Sequence, residues 1–283
     1  MSAPPVPTPT PTRERGARAS ARSPRRRAEI SRYVQYAVLA LAALAVGLTA
    51  DWATLREQFF NGEILPELFP RIFTTALRNT VTYTACAFLF GLALGLVLAL
   101  MRLSSVGPYR WIATTFIEFF RGVPALIVFI GFYYGLPIAF PGRVLPGGTL
   151  GVVTVALGLV GAAYMAETIR AGIQAVPKGQ TEAARSLGMS HTRAMVSIVI
   201  PQAFRIILPP LTNELILLTK DSSLVYVIGL SLADSELTDF GRRNLSQYVN
   251  LTPLFAVALS YLIITVPLSV VVRRMEARAD RAR

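Results

Sequence analysis

The chain has 283 residues, of which 53% are hydrophobic and 16% are charged, and its formal net charge is +12. Its arginine-rich ends, 1–32 and 273–283, carry +6 and +3 of that charge, and only 27 charged residues lie between them. A soluble domain has about 25% charged residues, so the composition argues against a soluble globular protein, and the single cysteine, Cys86, excludes a disulfide scaffold. The composition is typical of a protein that crosses a membrane several times.

The N-terminal segment predicts a tail followed by a membrane anchor. Residues 1–33 are rich in Pro, Thr and Arg without apolar periodicity, so we expect a disordered cytoplasmic tail whose arginines contact membrane lipid rather than nucleic acid. Residues 34–50 are uncharged over 17 positions, near the lower limit for crossing a bilayer. A retained anchor helix is favoured over a signal peptide, because the leader is long and hydrophilic and Leu48 is not small.

The remainder predicts an all-α, polytopic membrane helix bundle of about six transmembrane helices, the anchor included. Four further stretches are apolar and long enough to span a bilayer, namely 79–101, 111–137, 149–166 and 251–272.

A fifth stretch, 194–232, is apolar but interrupted by Pro201, Pro209 and Pro210, so it could cross once as a broken helix or twice. With one crossing, the cytoplasmic segments contain 19 Lys or Arg residues and the outer segments contain seven. Two crossings would place the five arginines after Val272 outside, against the positive-inside rule. We therefore expect six spans, with both termini in the cytoplasm.

The longest internal cytoplasmic segment, 167–193, predicts two short helices that meet at a corner. Pro177 interrupts the preceding helix, and strong helix formers follow at 180–187. Gly188 suits the left-handed residue that ends a helix, and Ser190 can cap the next helix. On these features alone, the corner could equally be a loop packed on its own bundle.

The corner contains Glu182-Ala183-Ala184, three residues, Gly188, nine residues and then Ile198-Val199-Ile200-Pro201, which resembles the EAA motif of bacterial ABC-importer permeases. Other motifs resemble the polar amino-acid permease family, of histidine, glutamate, glutamine, arginine and opine type. In chain order they are RGVP at 121–124, FYYGLP at 132–137, VPKGQ at 176–180, PQAFR at 201–205, LPPLTNE at 208–214 and KDSSL at 220–224. The resemblance implies a type I permease domain at 72–276, followed by a basic cytoplasmic tail at 277–283.

The resemblance implies a permease subunit of an ATP-driven importer in a bacterial cytoplasmic membrane. Its partners would be an ABC ATPase dimer, a second permease subunit that is identical or homologous, an extracytoplasmic solute-binding protein and a polar amino-acid substrate. The chain has no phosphate-binding loop, so ATP hydrolysis is expected in the partner, this chain is expected not to be an enzyme, and no cofactor or metal is expected. The residues expected to dock in the ATPase are Glu182, Ala183, Ala184, Leu187 and Gly188.

Two residues depart from the family pattern. Val123 stands where the family commonly has Thr, and Val128 stands where it commonly has Gln. If both positions line the substrate path, that path is less polar here and the ligand differs accordingly.

Ionisable groups inside spans are costly, so they are candidates for the translocation path. Glu118 and Arg121 lie three residues apart and can pair. Glu214 lies near Pro209 and Pro210, where a broken helix would expose backbone groups beside a water-filled cavity that suits a zwitterionic amino acid. These charges could instead only pair with one another or lie at the lipid headgroups. The candidate path residues are Glu118, Arg121, Asn213, Glu214, Lys220, Asp221 and Ser222.

Three other functions fit the sequence less well. A secondary transporter usually shows internal repeats, and no second copy of the corner or of RGVP is found. A channel would need a pore-lining periodicity that is not apparent. A membrane enzyme would need a catalytic constellation or metal spacing, and His191 is the single histidine.

Overall fold

A computed structural model describes residues 24–281 of the chain. The described residues form α-helices with short π- and 3-10 segments and contain no strand, so the predicted all-α fold class is confirmed. The structure separates into two compact units after Thr54. Five helical stretches are long and apolar enough to cross a membrane, and a sharply bent helix pair would provide a sixth crossing. The five are Ser31–Thr49, Ile72–Leu103, Thr149–Gln174, His191–Ile228 and Thr252–Arg278.

Among the described residues of the first unit, helix α1 spans Pro24–Thr49. This helix begins ten residues before the predicted anchor, because proline suits the first helical turn and the Arg and Ala residues that follow are strong helix formers. The rest of the predicted tail, 1–23, lies outside the described residues. Helix α2, Trp52–Phe59, is capped by Asp51, whose Oδ1 accepts a hydrogen bond from the Thr54 N–H at 3.0 Å.

The second unit begins at Leu55, within α2, and contains the remaining helices. They are α3 (Ile64–Leu68), α4 (Arg78–Leu103), α5 (Gly107–Gly122), α6 (Ala125–Ala139), α7 (Thr149–Gln174), α8 (Lys178–Ser186), α9 (His191–Ala194), α10 (Ile200–Asp221), α11 (Leu237–Tyr248) and α12 (Thr252–Arg281). The π-helical segments Ile72–Leu77 and Met195–Val199 lead into α4 and α10. Helix α12 includes residues 277–281 of the predicted basic tail, and 282–283 lie outside the described residues.

Helices α4 and α7 pack closely through small residues. A Cβ atom placed on Gly91 would lie 3.0 Å from the carbonyl oxygen of Gly158, and one on Gly95 would lie 3.0 Å from that of Ala162. Lipid tails are as apolar as the helices, so helix association in a membrane depends on close packing of this kind. Helix α7 also contacts α5, α6 and α10, which makes it the central helix of the second unit.

The stretch 111–137, which the sequence predicts as one span, is two helices. Helix α5 ends at Gly122, α6 begins at Ala125, and the angle between them is 103°. Pro124 explains the break, because it lacks an N–H group and disfavours the helical conformation of the residue before it. Val123 is accordingly extended, with φ −97° and ψ 132°.

The broken helix predicted near Pro209 and Pro210 is instead continuous through both prolines. Membrane helices tolerate interior prolines, and next to the two prolines the Thr212 hydroxyl donates an additional hydrogen bond to the Leu208 carbonyl at 2.9 Å. The irregular backbone begins after Asp221, where a 3-10 segment, Ser222–Ile228, follows α10.

A buried carboxylate, Glu236, fixes the loop that precedes α11. It caps that helix by accepting hydrogen bonds from the N–H groups of Thr238 and Asp239, at 2.6 and 2.7 Å. The Tyr261 hydroxyl of α12 donates to the same carboxylate at 3.1 Å, and Asn79 at the start of α4 donates to two loop carbonyls. Burial raises the pKa of Glu236 to about 7, although its hydrogen bonds favour the ionised form.

We expect Gly95→Ala to lower the free energy of unfolding by about 1–3 kcal/mol, because the added methyl group would overpack the α4–α7 contact. Thermal unfolding of the purified chain in detergent measures this effect. Gly131→Ala is the matched control, since this α6 glycine has no atom within 4 Å of its Cβ position and alanine favours a helix. Equal Tm values for the two variants would contradict the tight packing.

The carboxyl of Glu236 should make stability depend on pH. A carboxyl whose pKa is raised on folding favours the protonated folded state, so its stabilisation is complete below the ordinary pKa of 4.5 and is lost as the pH rises to about 7. Glu236→Gln cannot ionise, so over this range its free energy of unfolding should rise relative to that of the wild type, by on the order of 3 kcal/mol at most, and its Tm should rise with it. Glu63→Gln, at an exposed carboxyl, is the control, and parallel Tm curves for wild type and Glu236→Gln would contradict the assignment.

Candidate functional site

A cavity of about 440 Å³ lies beside the bend between α5 and α6. Its walls come from the bend, the middle of α7 and the second half of α10, and its volume is within the range of about 300–1,000 Å³ that is typical of small-molecule sites. The larger apolar residues of the lining are Val123, Val160, Leu217 and Leu218. The charged and aromatic residues of the lining are Arg121, Tyr164, Glu214 and Asp221.

Three of the predicted path residues therefore line one cavity. Arg121 lies in the last turn of α5, immediately before the bend. Glu214 and Asp221 lie seven residues apart on α10, a spacing that places both on one helical face. The cavity combines a guanidinium from one wall with two carboxylates from another, which allows it to satisfy both charges of a zwitterion.

The predicted pair between Glu118 and Arg121 is not formed. The Glu118 carboxylate instead lies 3.8 Å from the guanidinium of Arg102 on α4. The guanidinium of Arg121 lies over the ring of Tyr164, with its Cζ 5.5 Å from the ring centroid. Each side chain thus has a partner on a neighbouring helix, which the spacing within α5 could not reveal.

The other three predicted path residues also lie outside the cavity lining. Asn213 and Lys220 are exposed, because each is about 100° around α10 from the carboxylate next to it in sequence. Ser222 is fully buried, and its hydroxyl donates to the Thr219 carbonyl at 2.7 Å. This hydrogen bond closes the end of α10.

A cluster of charges that was not predicted from the sequence joins the C-terminal end of α4 to α7. Arg102 forms an ion pair with Glu167, and Arg170 forms a second pair with the same carboxylate at 2.7 Å. The only sequence signal for this cluster is the spacing of three residues between Glu167 and Arg170. Glu118 belongs to the same cluster, because its carboxylate lies near the Arg102 guanidinium.

The two departures from the family pattern differ in whether they reach the charged cavity. Val123, the extended residue of the bend, lines the charged cavity. Val128 is buried and lines an apolar cavity of about 330 Å³ within the angle between α5 and α6, which Val123 also borders. Of the two positions, Val123 is therefore the one that makes the wall of the charged cavity less polar.

The corner predicted within 167–193 is formed by α8 and α9. Helix α8 ends in the left-handed residue Gly188, at φ +84°. The N–H groups of Gly188 and Met189 donate to carbonyls of the last helical turn, at 3.0 and 3.1 Å, in a Schellman motif. Ser190 accepts a hydrogen bond from the N–H of Arg193 at 3.3 Å and caps α9, so both local predictions are confirmed.

The five predicted docking residues lie on this corner and differ in exposure. Ala184 is only 3% exposed and fixes α8 to the rest of the second unit, whereas Leu187 is 85% exposed. Glu182 and Ala183 are also exposed. The corner thus presents an exposed leucine next to a helix end terminated by glycine, and the three hydrogen bonds described above hold its backbone.

Known proteins are similar to this chain over most of its length. A family model described as "Binding-protein-dependent transport system inner membrane component" matches residues 91–281. The "Probable glutamine ABC transporter permease protein GlnM" of Bacillus subtilis (strain 168) is 40% identical over 206 residues, which cover 72% of this chain and 91% of that protein. The "L-cystine transport system permease protein TcyB" of the same organism is 35% identical over 242 residues, which cover 85% of this chain and 96% of that protein.

A similar fold is found in a solved structure. The "Crystal structure of an amino acid ABC transporter with histidines" aligns with a TM-score of 0.68 at 36% identity, and the alignment covers 76% of this chain and 97% of that chain. The predicted resemblance to ABC-importer permeases is confirmed, as is the prediction that the chain is a transporter component rather than an enzyme. The chain belongs to the family of inner membrane components of binding-protein-dependent transport systems.

Proposed function

We propose that this chain is the subunit through which an ATP-driven importer moves a polar amino acid, or a close relative, across a bacterial cytoplasmic membrane. The observation that supports this proposal most strongly is the cavity lined by Arg121, Glu214 and Asp221. The names of the relatives, which refer to glutamine, cystine and amino acids, agree with a substrate of this class.

The cavity offers a complementary group for each part of an amino acid. The guanidinium of Arg121 can bind the α-carboxylate through two parallel N–H···O bonds. The carboxylates of Glu214 and Asp221 can accept hydrogen bonds from the α-ammonium group and from polar substituents of the side chain. Val123 and Leu217 provide apolar contact for the carbon atoms of the substrate.

Transport would proceed by alternating access, with ATP hydrolysis in a separate subunit. The chain between α7 and α10 runs through the corner formed by α8 and α9, and both α7 and α10 line the cavity. If the segment Glu182–Gly188 is clamped in a groove of the ATPase, movement of that groove is transmitted directly to two walls of the cavity. The substrate would then be exposed to one side of the membrane at a time.

The complete importer would contain two ATPase subunits, a second permease that is identical or homologous, and an extracytoplasmic solute-binding protein. Both termini would lie in the cytoplasm, since this orientation places the arginine-rich ends inside. In this arrangement 34–50 is the anchor, 72–276 is the permease domain and 277–283 is a basic cytoplasmic tail.

We expect Leu187→Ser to weaken ATPase binding, because it removes the exposed apolar side chain of the corner without changing a packed residue. The fraction of ATPase that copurifies with the permease measures this effect, and the Tm of the purified chain should not change. Leu232→Ser is the control, since this leucine is 75% exposed and lies in the loop before α11. A Leu187→Ser complex that keeps its full content of ATPase would argue against docking at the corner.

We expect Glu214→Gln to reduce amino-acid uptake by about tenfold or more, because a neutral amide loses the charge-assisted hydrogen bond to the substrate ammonium. The assay follows radiolabelled glutamine, cystine, arginine and glutamate into proteoliposomes that contain the complete importer. Glu118→Gln is the matched control, since this carboxyl is 61% exposed on α5 and lies outside the cavity lining. Uptake by Glu214→Gln at the wild-type rate would place substrate binding elsewhere.

A further inference from the structure

Tyr164 is the aromatic residue in the lining of the charged cavity. It lies in the middle of α7, between Ala163 and Met165, both of which are fully buried. The guanidinium carbon of Arg121 lies 5.5 Å from the centroid of its ring, within the distance at which a cation is attracted to the face of an aromatic ring. The two residues therefore form a contact between the bend and the central helix.

This contact leaves the hydrogen-bonding edge of the guanidinium available. A carboxylate partner would occupy the N–H donors of an arginine, whereas an aromatic ring engages the flat face of the group. Within the described residues, Arg121 has no ion-pair partner within 4.0 Å. The arginine is thus held in place without losing the donors that an incoming carboxylate requires.

The ring is also a rigid support for a flexible side chain. An arginine has many rotamers, and ordering them upon binding would lower the affinity for a substrate. The α4–α7 contact at Gly91 and Gly95 fixes the backbone of α7 close to Tyr164. The backbone that carries the ring is therefore held by the α4–α7 contact.

We propose that Tyr164 is a positioning residue that preorganises Arg121 to bind the α-carboxylate of the transported amino acid. This role rests on the proposed function of the cavity. It assigns to α7 a part in selecting substrates with a free carboxylate, and it requires that Tyr164 act through Arg121 rather than through its own hydroxyl.

Equilibrium binding to the membrane complex of the two permeases and the two ATPase subunits in lipid nanodiscs, with the solute-binding protein omitted, tests this role. The probes are three pairs, each an amino acid and its α-amide: glutamine and glutamine amide, arginine and argininamide, glutamate and isoglutamine. Tyr164→Leu should weaken binding of the free acid by about fivefold or more and leave binding of the amide unchanged. Tyr164→Phe keeps the ring, so it should bind the acid and the amide of each pair with the affinity of the wild type.

A second set of variants separates positioning from a general structural effect. In a chain that already carries Arg121→Met, Tyr164→Leu should change neither the affinity for the free acid nor that for the amide. The guanidinium through which Tyr164 acts is then absent. Tyr164→Met also replaces the ring with an apolar side chain, so it should behave like Tyr164→Leu. If Tyr164→Leu fails to fold, Tyr164→Met provides the same test.

The outcomes distinguish this inference from the proposed function. If Tyr164→Leu weakens the acid and the amide equally, or weakens neither, the positioning role is wrong while the cavity can still bind amino acids. If the wild type binds none of the three free acids, the proposed function of the cavity is wrong, and the role of Tyr164 is overturned with it.

Discussion

The close contact between α4 and α7 is the constraint on which the rest of the second unit depends. In a bilayer, apolar side chains gain little by leaving lipid, so helices associate where small residues let their backbones approach. The glycines at this contact leave no room for a methyl group on either helix. Helix α7 is thereby fixed at the centre, and it supports α5, α6 and α10, whose residues form the other walls of the charged cavity.

The cavity lies where regular helix structure is interrupted. Pro124 ends one helix and turns the chain by 103°, and the 3-10 segment begins immediately after Asp221. Irregular backbone at membrane depth is tolerated beside a water-filled cavity, and such a cavity is also where charged side chains cost least. The cavity thus accounts for both features: it tolerates the irregular backbone at the break, and it lowers the cost of the three charged side chains. The same region is joined to the α8–α9 corner through α7 and α10, which links a proposed binding site to a proposed docking site.

Features set by a few neighbouring residues could be predicted from the sequence, and features set by packing could not. Gly188 and Ser190 were assigned correctly because helix capping depends on residues within one or two turns. Pro124 and the pair Pro209 and Pro210 look alike in sequence, yet only Pro124 breaks a helix. The cavity was predicted only in part: the charges of Arg121, Glu214 and Asp221 marked them, but Tyr164 has no charge, and its contact with Arg121 spans more than 40 residues of sequence.

Our proposal is that a separate ATPase drives an amino acid through this chain. It is tested most directly by uptake of labelled glutamine, cystine, arginine and glutamate into proteoliposomes that contain the complete importer, with either an active ATPase or one that binds ATP without hydrolysing it. Accumulation of at least one of these amino acids against its gradient with the active ATPase, and none with the inactive one, is the expected result. Equal accumulation with both ATPases would contradict the account.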